Sequence, residues 1–172
     1  MNRELLLLGL LRHENMHGYQ LHEFINRNMS SCVDLKKPTA YYLLEKMADA
    51  GWINEIQEQE GNRPTRNVYQ LTDEGEAAFQ QLLRDNIATY HSPQFADDIG
   101  LAFLDSISAP EALVLLNRRR AAILDALANT KSVPEHTGSS QLVIEHLSHH
   151  LESELQWLDK VISRIDVTHS LA

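Results

Sequence analysis

Cysteine is almost missing from this 172-residue chain. Cys32 stands alone, so no internal disulfide can form, and a reducing compartment is the simple reading. Long apolar runs are missing too: the stretch from Leu5 to Leu11 is far shorter than the about 20 residues a membrane helix needs. Arg12, His13 and Glu14 follow it with no small-residue cleavage site, so it reads as a buried first helix in a cytoplasmic protein without membrane contact. Basic charge is scarce. Fifteen Lys and Arg face 24 Asp and Glu, for a net charge of −9, divided as −4 over residues 1–90 and −5 over 91–172. That balance excludes a protein that coats nucleic acid indiscriminately; a DNA reader built from this chain must gather its few cations on one face. No internal repeat, low-complexity tract, nucleophile motif or Gly-rich phosphate loop occurs, and an enzyme is not expected.

What is present is helical periodicity, with one short interruption of another kind. Residues 3–12 form a broad leucine stripe, and a second helix is expected from about His17 to Asn28, with Tyr19, Leu21, Phe24 and Ile25 on its apolar face. Pro38 suits the first turn of a third helix, whose Ala40, Leu43, Leu44 and Met47 make one buried stripe. Gly51 ends that helix as a left-handed cap. Two short strand-like runs, 52–56 and 66–71, flank the turn Gly61-Asn62-Arg63-Pro64-Thr65, which predicts a β-hairpin. Thr72 then caps a fourth helix running to about Thr89. The order helix, helix, helix, hairpin, helix is that of folds that lay the third helix in the DNA major groove.

The remainder is helical in pattern. Ser92-Pro93 is expected to open a helix through Phe95, Ile99 and Phe103. Ser108 and Glu111 match a capping box for the next, running through Leu113, Leu116, Ile123 and Leu127, and a linker covers 131–140. A last helix carries Val143, Leu147, Leu151, Leu155, Leu158, Ile162 and Ile165 at steps of three and four. At roughly 40 Å it is long for a small domain to cover alone, and pairing with a second subunit would bury the stripe. The fold class expected is therefore mainly α with a small β-hairpin wing. Residues 1–90 would form the DNA-binding domain and 91–172 a helical dimerisation and effector region.

Three spaced motifs also resemble one family. Leu7-Leu8-Gly9-Leu10-Leu11 with His17-Gly18-Tyr19-Gln20-Leu21, then Tyr41, Leu44, Met47 and Gly51-Trp52-Ile53, then Arg63 to Gly75, resemble the PadR-type transcriptional regulators. The resemblance is specific over residues 5–79 and looser over 92–168, where Glu154-Leu155-Gln156-Trp157-Leu158 is similar to the family's C-terminal dimerisation helices. The chain departs from the family pattern at Lys37-Pro38-Thr39, which replaces a small Gly-containing start, and in the acidic Glu55, Glu58 and Glu60 of the hairpin. The resemblance implies a winged helix-turn-helix, contact of Tyr41 with DNA, and a response to small, often aromatic, molecules.

The candidate DNA contacts are Lys36, Lys37, Thr39, Tyr41, Tyr42 and Lys46 on the third helix, with Arg63 and Arg66 beside the hairpin turn. Taken singly, Lys46 reads as a solvated lysine and Tyr41 as a core ring; clustered on this helix they read as an interface. His17-Gly18-Tyr19 could set the second helix against the DNA backbone, but His17 reads better as a helix start and Tyr19 as a packing ring, and both stay off the contact list. The candidate dimer seam is Leu147, Leu151, Leu155, Trp157, Leu158, Ile162 and Ile165. His146, His149 and His150 share a helix face near Glu145 and Glu152; a solvated or interface patch fits them better than a metal site. Arg118-Arg119-Arg120, the densest basic run, reads as a solvated turn, an anionic-effector site or extra DNA charge. The function expected is a homodimer on a palindromic operator of double-stranded DNA, a repressor released by a small aromatic or anionic effector, without a cofactor. The rivals are a winged protein-interaction module and an activator of the same family.

Overall fold

The computed structural model describes residues 2–28, 33, 35–58, 66–93, 95 and 98–170. Two compact units divide it, Met1–Ser92 and Pro93–Ala172.

The first unit runs α1 (Asn2–Leu11), β1 (Met16–His17), α2 (Gly18–Asn28), α3 (Lys37–Asp49), β2 (Ile53–Glu58), β3 (Arg66–Leu71) and α4 (Asp73–Ala88). The apolar stripes read from the sequence converge on one core. Leu7, Leu8 and Leu11 meet Leu21 and Ile25, the α3 stripe Ala40, Leu43, Leu44 and Met47, and Ile53 and Tyr69 from the sheet. Each fully buried Leu or Ile contributes about 1.5–3 kcal/mol relative to exposure. Pro sits in the first turn of α3, and Gly51 at φ +74° closes its end. There the Trp52 N–H donates to Met47 O at 2.9 Å and the Gly51 N–H to Ala48 O at 2.9 Å, satisfying carbonyls the helix leaves open. Thr72 caps α4 by accepting from the Gly75 N–H at 3.0 Å. Gly75 is glycine for lack of room: a Cβ there would lie 1.9 Å from the Trp52 carbonyl oxygen.

The hairpin β2–β3 is antiparallel, with Ile53 opposite Leu71 and Glu58 opposite Arg66. The sequence reading missed its third strand. Met16 and His17 pair with Tyr69 and Val68, giving the order β1-β3-β2. Two residues are too few to show a period of two, so the segment read as a break between helices.

The second unit contains α5 (Asp98–Ala102), a 3₁₀ turn at Leu104–Ser106, α6 (Ala109–Ser132) and α7 (Ser139–Ser170). The Ser108 cap is present, accepting from the Glu111 N–H at 3.4 Å. The helix expected from Ser92 through Phe103 is cut to the five residues of α5. Phe95, Ile99 and Phe103 stay exposed, and a helix with no packed face does not propagate. The α6 and α7 helices form a hairpin laced by Arg119–Glu154 at 2.7 Å, Arg120–Asp159 at 2.6 Å and Lys131–Glu152 at 2.6 Å.

This hairpin revises the reading of the α7 stripe. Leu155 and Leu158 are buried within the single chain, as are Ala112 and Leu116 on α6. Leu147, Leu151, Ile162 and Ile165 are half-buried, and Trp157 lies exposed. Periodicity showed that a stripe is covered without showing which chain covers it. In the single chain Leu158 is fully buried and Leu155 nearly so. The apolar side chains left open are Leu142, Val143, Trp157 and Val167 on α7 and Val114, Leu115 and Leu124 on α6.

Candidate nucleic-acid interface

Once Ala40, Leu43, Leu44 and Met47 turn inward, the 3.6-residue period leaves α3 a second, polar face. Lys36, Lys37, Tyr42 and Lys46 are exposed on it and Thr39 is half-exposed; Tyr42 keeps 63% of its surface open. From Thr39 to Lys46 this face extends about 10 Å along the axis, close to the roughly 12 Å width of a major groove. Lys46 is partly neutralised: its Nζ lies 3.6 Å from Glu4 Oε1 on α1. Arg63 lies outside the described residues.

A second group of side chains stands beside that face. His17, Gly18, Tyr19, Tyr41, Arg66, Asn67 and Tyr69 line an open cleft of about 500 Å³ where α2, α3 and β3 meet. The Lys37 ammonium lies 5.9 Å from the centre of the Tyr41 ring, and the Arg66 guanidinium 5.6 Å from that of Tyr19. Both fall within the reach of cation–π attraction. The His17 and Tyr19 rings stack at 5.7 Å and 12°. The His17 N–H donates to Gln20 Oε1 at 2.8 Å, and its ring Nδ1 lies 3.3 Å from Asn67 O. Gly18 leaves room for Tyr41, whose ring would stand 2.9 Å from any Cβ placed there. Burial first, and then the nearby Glu55 carboxylate, push the Tyr69 phenol above its ordinary pKa, so it stays neutral. Asn67 donates its side-chain amide to Glu55, which engages one of the wing's acids.

Of the residues singled out from sequence, α3 gathers Lys36, Lys37, Thr39, Tyr41, Tyr42 and Lys46, and Arg66 joins them through the cleft. His17 and Tyr19, read from sequence as a helix start and a packing ring, line the same cleft. Tyr19 is 43% exposed and faces Arg66, 47 positions away, a pairing that no local pattern signals. In the second unit, Arg119 and Arg120 are paired with Glu154 and Asp159, and Arg118 is exposed. His146, His149 and His150 are exposed on α7, and among the described residues no group of His, Cys, Asp or Glu is placed to hold a metal ion. No described helix is long and apolar enough to cross a membrane.

Three helices, a strand-paired hairpin after the third, and a cationic, tyrosine-rich face beside it define a winged helix-turn-helix protein. Comparison with known proteins gives the likenesses of this fold. Residues 7–81 match the model of the transcriptional regulator PadR-like family. Over 177 aligned residues, the chain is 24% identical to the negative transcriptional regulator PadR of Bacillus subtilis (strain 168), covering 93% of this chain and 95% of that one. The crystal structure of Bacillus subtilis PadR in complex with operator DNA superposes with a TM-score of 0.82 at 19% identity, over 96% of this chain and 99% of that one. The same regulator in complex with p-coumaric acid gives 0.73 at 21% identity, over 95% and 98%. Over residues 7–81 this chain is similar to the PadR-like family of transcriptional regulators, and its fold is that of the PadR structures.

Proposed function

We propose that the chain is a sequence-specific DNA-binding repressor that works as a homodimer and is released by a small aromatic effector. The observation that carries this reading is the exposed polar face of α3, with Tyr42 and Lys46 open beside Arg66 and the tyrosine cleft. In the homodimer, two such helices enter successive major grooves of a palindromic operator, about 34–36 Å apart. Arg66, at the start of β3, serves as part of the wing that contacts the flanking backbone or minor groove. The open apolar side chains of α6 and α7, Trp157 among them, are the surface a second copy covers. An aromatic effector releases the DNA by favouring a dimer whose half-site spacing no longer fits. The net charge of −9 favours one rival, a winged module that docks on proteins.

The test is operator binding by the Lys37→Glu, Lys46→Glu double variant. A DNA reader loses binding to the duplex upstream of its own gene, and its salt slope falls by ~0.9 for each phosphate no longer neutralised. Unchanged binding by the reversed variant sinks the DNA reading and leaves the protein-docking module. Transcription from that promoter, with and without the protein, separates repression from activation.

A further inference from the structure

We propose that Tyr19 is a positioning residue that holds the Arg66 guanidinium in place for a DNA backbone phosphate. The inference rests on the DNA reading above and deepens it. Arg66 begins β3 at the wing end of the hairpin, and its side chain reaches the ring of Tyr19 at the start of α2. An arginine on a strand end carries about 2 kcal/mol of rotamer freedom. A cation–π contact removes part of that freedom before DNA arrives, while the guanidinium N–H groups remain available to an anion. The Tyr19 ring is itself fixed by the stack on His17, whose backbone is paired to Val68 in β3. His17, Tyr19 and Arg66 thus form a short relay from sheet to helix to cation. The pair Lys37–Tyr41 stands across the same cleft, so two cations are presented on two tyrosine rings. Two positive groups fixed beside an open cleft suit the phosphodiester oxygens of a duplex, where recognition depends on position and charge more than on base identity.

The experiment titrates a fluorescent random-sequence duplex at low salt with the full chain, because binding to phosphate needs no operator. Arg66→Ala is expected to lower the salt slope by about 0.9. Tyr19→Phe keeps the ring and binds as the wild type does. Tyr19→Leu keeps the apolar bulk, loses the π face, and weakens binding about two- to fivefold. In the Arg66→Ala background the same Tyr19→Leu change has no further effect. In the free protein, NMR shows the Arg66 side-chain protons shifted upfield by the ring in wild type and Tyr19→Phe, and unshifted in Tyr19→Leu; a purely structural tyrosine predicts no such pattern. Equal loss from Tyr19→Phe and Tyr19→Leu overturns the positioning role in favour of direct contact by the hydroxyl. Additive losses from Tyr19→Leu and Arg66→Ala overturn it as well. A wild-type protein that binds no duplex at any salt overturns the DNA reading itself, and the role of Tyr19 with it.

Discussion

The two units bury apolar surface very differently. Among the described residues, the winged unit buries thirteen hydrophobic side chains and the helical unit four, Ala112, Leu116, Leu155 and Leu158. The helical unit also carries exposed Phe95, Ile99, Phe103, Leu142, Val143 and Trp157. Four buried side chains support little of the conformational entropy cost of two long ordered helices. The winged unit is a finished core, whereas the helical unit is a hairpin stitched by ion pairs at its margins, where each exposed pair contributes at most about 1 kcal/mol. Self-sufficiency in one region and incompleteness in the other agree with the proposed division into a DNA-binding unit and an assembly unit.

The largest effect that would break this contrast is Gly75→Ala. The added methyl meets a backbone carbonyl, which no side-chain movement relieves. The cost is expected to reach the ~5 kcal/mol that is the whole stability of a marginal domain. Circular dichroism should show the winged unit unfolded at room temperature; a native melt would mean that the backbones of α4 and Trp52 can move apart at little cost.

A paired test on α7 comes next. Leu158→Ala is expected to cost about 2–4 kcal/mol in urea unfolding, because it empties a fully buried site inside one chain. Trp157→Ala should leave that stability nearly unchanged and weaken self-association roughly tenfold or more in sedimentation equilibrium. The reverse outcome, in which Leu158→Ala dissociates the dimer and spares the fold, would restore the seam that the heptad-like spacing suggests.

The smallest effect is a pH limb. Hydrogen bonds first from Gln80 and then from Arg12 hold the Glu76 carboxyl below its ordinary pKa. A depressed carboxylate stabilises the fold above its unfolded pKa of about 4.3 and loses that contribution as pH falls through the lower folded value. Glu76→Gln should flatten the acid limb of the winged unit's melting curve without moving the helical unit. An acid limb of undiminished slope in the variant would assign the acid sensitivity to other carboxylates.

How far the sequence could be read follows the same division. In the winged unit, period, Pro38, Gly51 and the Thr72 cap are local signals, and they placed α3, its inward stripe and its outward cations correctly. The wing was legible from its strands and turn residues, with the turn itself outside the described residues. The two-residue strand β1 left no period, and the Tyr19–Arg66 pair left no trace because only the tertiary fold joins its members. In the helical unit the period of α7 was plain, yet a stripe looks the same whether α6 or a second subunit covers it. Phe95 and Phe103 kept helical spacing with Ile99 yet lie outside α5, because spacing becomes structure only where a surface receives it.

The short ribbon of Met16 and His17 has a mechanical consequence. By stitching the chain ahead of α2 to β3, it removes the hinge that an unpaired loop would leave between the hairpin and the helix-turn-helix. Under the proposed DNA reading, a load on the hairpin would reach the first turn of α2 through that pairing as torque.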